Sequence, residues 1–261
     1  MTDLLERIAR GAPIAERVVL VAAHPDDEVI ALGSRLRCFE DLTVLHLTDG
    51  APRDLGDARR AGFADWRGYA AARRRELADA LETLGAGAAS CHSYGYPDQE
   101  AILHAEEAAT RLQDDLAEAS AVVTHPYEFG HPDHDTCALA VSLACEALGS
   151  AAPARYEFPS YHLAGGERQF WVFWPDPSAP ETLIPVDAPQ RAEKRRALDQ
   201  FVSQAHLLGR FQPGDERLRP APRYDFSTPP PQGEALYDRF GWRMTSSQWM
   251  EHATRALDGA A

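Results

Sequence analysis

Four cysteines (Cys38, Cys91, Cys137 and Cys145) form no C-x-x-C pair. That argues against a thiolate metal site or a redox dithiol and leaves the thiols as small buried hydrophobes. No run of 18 apolar residues occurs, so no membrane span is expected. Positive charge is scarce: 26 Lys and Arg against 40 Asp and Glu give a net charge of −14. Such a field repels phosphate backbones and anionic lipid, so nucleic acid is not an expected partner. The opening Met-Thr-Asp-Leu-Leu-Glu-Arg has neither a basic n-region nor an apolar h-region, and reads as a short helix of a cytoplasmic protein. No G-x-G-x-x-G follows the first apolar run, which sets aside a nucleotide-dependent oxidoreductase. There is no internal repeat and no linker between domains.

What is present suits one α/β domain spanning residues 1–261. Residues 17–23 are a continuous β-branched run, as expected of a strand buried on both faces. Further strands are expected at 42–48, 88–95 and 121–124, with weaker candidates at 154–160 and 182–187. Helices are expected from about Val29, over 67–84 (stripe Leu77, Leu81, Leu84), 105–119, from the 130s to about 148, and 189–208. Strand–helix alternation predicts a doubly wound, mostly parallel sheet flanked by helices. Right-handed crossovers then place the ends of the strands at 24 and 125 on one edge, where such sheets bind ligands. The core extends over about 17–208. Beyond it, Pro213, Pro220, Pro222, Pro229, Pro230 and Pro231 predict an irregular C-terminal extension over about 209–261.

Two clusters of hard ligands follow two of these strands. One is His24, Asp26, Asp27 and Glu28; the other is His131, Asp133 and His134, followed by Asp135. Unpaired carboxylates at buried strand ends are expensive, and a divalent cation would compensate several at once. Imidazole with carboxylate favours Zn2+ or another divalent transition metal over magnesium or calcium. Asp26 and Glu28 could instead cap the helix that follows.

Ala-His-Pro-Asp-Asp-Glu (23–28) after an apolar strand, and His-Pro-Asp-His (131–134) about a hundred residues later, resemble the two signatures of the LmbE-like, or PIG-L, deacetylase family. The segment from Lys194 to Gln204 is also similar. The resemblance implies a Rossmann-like fold and zinc-dependent removal of an N-acetyl group from an amino-sugar conjugate such as an N-acetylglucosamine derivative. By motif position it implies that His24, Asp27 and His134 bind zinc and that Asp26 is the general base toward metal-bound water. His131 would stabilise the oxyanion or protonate the leaving amine, with Asp133 orienting it and raising its basicity. Amide hydrolysis needs these three functions: activated water, a Lewis acid and an acid for the amine.

Arg73 lies one turn before Leu77 on the buried stripe and needs a partner, which Glu76 could supply. The resemblance suggests that Arg73 reaches substrate hydroxyls, while a structural ion pair is the alternative. Some relatives have tyrosine where this chain has Phe129, which offers no donor; Tyr127 is the candidate substitute and substrate contact. Tyr94, Tyr96, Trp171 and Trp174 could stack on sugar, or pack in the core. Other readings stay open: an amide hydrolase acting on a non-sugar or long-chain acyl substrate, or a non-catalytic metal-binding module. A homo-oligomer is compatible with the sequence.

Overall fold

A computed structural model describes residues 4–231 and 233–260. In chain order the elements are α1 (Leu4–Arg10), β1 (Val18–Ala22), α2 (Asp27–Leu32), β2 (Leu42–Thr48), α3 (Gly56–Arg60), α4 (Trp66–Thr83), β3 (Ser90–Tyr96), α5 (Ala105–Leu116), β4 (Ala121–Thr124) and α6 (Pro132–Leu148). Then come β5 (Ala154–Glu157), β6 (Tyr161–Ala164), β7 (Glu167–Phe170), β8 (Thr182–Ile184), α7 (Ala188–Leu198), α8 (Ala205–Leu208), β9 (Glu216–Pro220) and α9 (Ser246–Ala260).

Seven strands form one sheet in the order β3-β2-β1-β4-β5-β9-β8. The five from β3 to β5 pair in parallel, whereas β9 runs antiparallel to both β5 and β8. The direction of winding reverses between β1 and β4, so a crevice opens at their carboxyl ends. Every residue of β1 is buried. Its side chains alternate between two cores: Val18, Leu20 and Ala22 pack with Leu77 and Leu81 of α4, while Val19 and Val21 pack with Leu112 of α5 and Val141 of α6. This is the expected α/β fold with helices on both faces.

Several expectations change in detail. The helix expected over 189–208 breaks after Leu198, because Glu76 of α4 accepts from both the backbone N–H and hydroxyl of Ser203 and holds a separate turn there. The same two bonds remove Glu76 as the partner of Arg73. The stretch after 208 is less irregular than its prolines suggest. It supplies β9 inside the sheet, and α9, whose Trp249, Ala253 and Ala256 pack with Leu139 and Leu143 on the outer side of α6. The β6–β7 hairpin, turned by Gly165 and Gly166 at φ of 59° and 82°, had no clear sequence signal. All four cysteines are free, and only Cys137 and Cys145 are buried. No helix among the described residues is long and apolar enough to cross a membrane.

Candidate metal centre and active site

The tight turn His24–Asp27 follows β1, with His24 N–H donating to Asp27 Oδ2 at 2.9 Å. His131 precedes α6 as its N-cap, its Nδ1 accepting from Asp133 N–H at 3.1 Å. Pro132 then starts the helix, where a missing N–H does no harm. His134 follows one turn on, and the two motifs meet across the crevice.

Asp27 stands between the histidines: Oδ2 is 3.4 Å from His24 Nδ1, and Oδ1 is 3.6 Å from His134 Nε2. Donor atoms of His24, His131 and His134 lie within 4.8 Å of one another, as do those of Asp27, His125 and His134. His134 Nε2 is buried without a hydrogen-bond partner. Its other nitrogen is fixed by the Ser160 hydroxyl at 3.1 Å. An imidazole oriented from behind, with its front nitrogen unmatched beside a buried carboxylate, has the form of a metal ligand. The residues present therefore fit a divalent transition ion.

The electrostatics agree. Burial works against charge on His24, but Asp98, Asp133 and Asp27 outweigh it and raise its pKa well above the ordinary value. Burial likewise opposes ionisation of Asp27, but His125 and His134 hold its carboxyl well below the usual range. His131 and His134 are pushed well down, by burial first and then by neighbouring imidazoles. The pocket thus gathers carboxylates that demand positive charge around His24, which they hold toward its charged form, and around His131 and His134, which are neutral.

Asp26 differs from its neighbour. Burial pushes its carboxyl up to about 7, against the pull of Arg73, whose Nη2 donates to Asp26 Oδ2 at 2.8 Å. It makes no side-chain cap for α2, so capping does not explain it. Glu28 pairs with His46 of β2 at 3.0 Å, beneath the site.

Three of the expected site residues are engaged by groups of the protein itself. The Arg73 guanidinium donates to Asp26 and to the carbonyls of Pro25 and Gly50, so it braces the turn, as the structural ion pair among the expectations would. Gly50 has a φ of 66°, and a Cβ there would lie 2.3 Å from Arg73 Nη1, so this approach requires glycine. Asp133 does not orient His131 through its carboxylate. Oδ2 accepts from Gln99 N–H at 2.7 Å and lies 3.2 Å from His24 Nε2, but 3.9 Å from His131 Nδ1. Its carboxylate therefore supports His24, and His131 is made less basic rather than more. Tyr127 turns away altogether: its hydroxyl donates to the Thr228 carbonyl at 3.0 Å, in an aromatic cluster with Phe129, Phe226 and Trp249. Phe129 is buried in the same cluster. Asp135 holds that loop by accepting from the N–H groups of Glu128 and Phe129.

Other residues arrive without a motif. His125, just past β4, stacks on His134 at 3.9 Å and reaches Asp27 Oδ2 at 3.2 Å. Asp98, just past β3, lies 3.2 Å from His24 Nε2 and 3.8 Å from His131 Nε2. Both stand just beyond parallel strands, the one signal that could have found them. Tyr161 starts the hairpin with its ring 5.3 Å from that of His134. Burial pushes its phenol well above the ordinary range, so it stays protonated. Gly130 lets the hairpin approach: a Cβ there would lie 1.8 Å from the Tyr161 carbonyl oxygen. Trp242 places its ring 4.8 Å from that of His131. Of the expected aromatics, Trp171 lies between Phe170 and Phe211, Tyr94 against Tyr96, and Trp174 near His162.

Comparison with known proteins follows the same lines. Residues 19–145 match the family described as PIG-L: GlcNAc-PI de-N-acetylase. The 1D-myo-inositol 2-acetamido-2-deoxy-alpha-D-glucopyranoside deacetylase of Rhodococcus erythropolis (strain PR4 / NBRC 100887) is 32% identical over 170 residues, which is 53% of this chain and 55% of that protein. The chain thus spans about half the length of this curated relative. The A40926 pseudoaglycone deacetylase Dbv21 superposes with a TM-score of 0.61 at 20% identity, covering 81% of this chain and 99% of its own. The zinc inhibited form of the teicoplanin deacetylase Orf2 gives 0.60 at 17% identity, covering 80% and 99%. At these identities the two structures establish the shared fold.

Proposed function

We propose, from the match of residues 19–145 to the PIG-L (LmbE-like) family and from the geometry of the site, that the chain is a metal-dependent hydrolase that removes an N-acetyl group from an amino-sugar conjugate. One observation carries the reaction. Two adjacent buried carboxylates have different partners: Asp27 sits among His24, His125 and His134, and Asp26 is held by Arg73 Nη2 at 2.8 Å. That division of a ligand from a base is what amide hydrolysis by activated water requires.

His24, Asp27 and His134 would hold a divalent transition ion, zinc being the first candidate, and it would supply a more acidic water and polarise the amide carbonyl. Asp26 takes the proton, and Arg73 holds its carboxylate in place. His131 keeps a neutral imidazole whose Nδ1 is occupied by Asp133 N–H, so Nε2–H is free to donate to developing negative charge on the amide oxygen. The Tyr161 phenol, its ring 5.3 Å from that of His134, would be a second neutral donor. Asp133 acts through His24, and Ser160 acts through His134. The relative from Rhodococcus erythropolis, a deacetylase of an acetamido-deoxy-glucopyranoside, supports a small amino-sugar conjugate as the substrate class.

The test is acetate release from a panel of N-acetylglucosamine conjugates with purified protein and added zinc, beside a chelated sample and Asp26→Asn. Release that is abolished by chelator and lost in Asp26→Asn supports the proposal. A protein that binds one ion per chain and releases acetate from no conjugate contradicts it.

A further inference from the structure

Two strings of aromatic rings start on the two motif histidines and run outward to solvent. From His134 the first passes to Tyr161 at 5.3 Å and then to Phe170 at 6.3 Å. From His131 the second passes to Trp242 at 4.8 Å and then to Phe240 at 4.9 Å. The histidines are 4.9 Å apart, so both strings leave from one point. Both strings reach solvent: Phe170, whose ring also meets Trp171 at 6.3 Å, is 50% exposed, and Phe240 is 36% exposed. Single exposed apolar residues are ordinary, but two that continue unbroken from a buried polar centre form a patch.

The two strings form one wall. The Arg239 guanidinium donates to the Gly166 carbonyl at the tip of the β6–β7 hairpin. Arg168 of the hairpin lays its guanidinium 4.9 Å above the Phe240 ring. Arg239 is itself paired with Glu234. The cations of the wall thus cover rings and bind protein groups. The side chains that lead from the two motif histidines to the surface are all aromatic.

We propose that this wall is the subsite for a planar, apolar aglycone carried by the amino sugar whose amide enters the pocket. The proposal rests on the deacetylase reading of the same pocket and narrows its substrate class. The reacting amide must reach the level of His131 and His134, which leaves the remainder of a conjugate pointing outward along the rings. A flat aromatic group gains ring–ring contact there beyond the area it covers, which a flexible chain or a polyol cannot match.

Methyl, octyl and phenyl glycosides of N-acetylglucosamine test this with the full chain and zinc. The phenyl glycoside should exceed the methyl glycoside in kcat/KM by about tenfold. The double variant Phe170→Ala/Phe240→Ala removes only exposed side chains, and should bring that ratio close to one. Binding to Asp26→Asn, followed by calorimetry, should show the same preference without turnover. Equal kcat/KM for all three glycosides overturns the subsite while leaving the deacetylase reading intact. A preference for octyl over phenyl also overturns it, as does light scattering that shows a dimer lost in the double variant. No acetate from any glycoside, with one ion bound per chain, overturns the deacetylase reading and this proposal with it.

Discussion

Arg73 donates to Asp26 across 47 positions of sequence, tying the middle of α4 to the turn after β1. The pair sets the protonation of the proposed base, because burial raises the Asp26 carboxyl to about 7 while Arg73 pulls it down. The competent base is the ionised form, so activity should fall as pH drops through that region. Arg73→Leu removes the cation that favours ionisation, and should move the acid limb of kcat/KM to higher pH. A pH–rate profile unchanged in Arg73→Leu would remove Asp26 from the base role.

Asp26→Asn should lower kcat by about 10²–10⁴-fold, the usual contribution of a positioned base. Its ion content should stay at the wild-type level by elemental analysis. Loss of the ion along with the activity would instead make Asp26 a ligand.

Chelation should abolish turnover, and His134→Ala should prevent stoichiometric re-binding of zinc. An ion that binds the native chain stabilises it by about 2.7 kcal/mol at a hundred times its Kd, so Tm should rise with added zinc. A Tm insensitive to zinc would speak against a resident ion.

Tyr161→Phe removes one hydroxyl and keeps the ring. We expect kcat to fall by roughly 10²-fold, in the range of a lost oxyanion donor, with KM little changed. A change confined to KM would make Tyr161 a binding residue only.

Trp249 donates from Nε1 to the Pro132 carbonyl and the Thr136 hydroxyl, stapling α9 to the first turn of α6. Trp249→Ala should cost about 3–5 kcal/mol of stability, read by urea denaturation. A loss under 1 kcal/mol would show that α9 is dispensable to the fold.

The sequence by itself settled the alternation of strands and helices, since buried parallel strands must be continuous apolar runs and each needs a crossover. It also marked His24, Asp26, Asp27, His131, Asp133 and His134 as one group, because carboxylates and imidazoles directly after such strands are costly unless used. These signals are local in the chain, and so they are legible there. It could not assign partners. Whether Glu76 holds Arg73 or Ser203, whether Asp133 serves His131 or His24, and whether Tyr127 or Tyr161 faces the pocket are outcomes of contacts between distant segments. His125 and Asp98 carry no motif and enter the site because β4 and β3 end at the same edge as β1. Trp242 reaches His131, and Phe240 reaches Trp242, only because α9 and the chain before it fold back onto α6. Those choices belong to the tertiary structure, since a side chain's partner is fixed by three-dimensional packing and by the need to satisfy each buried polar group.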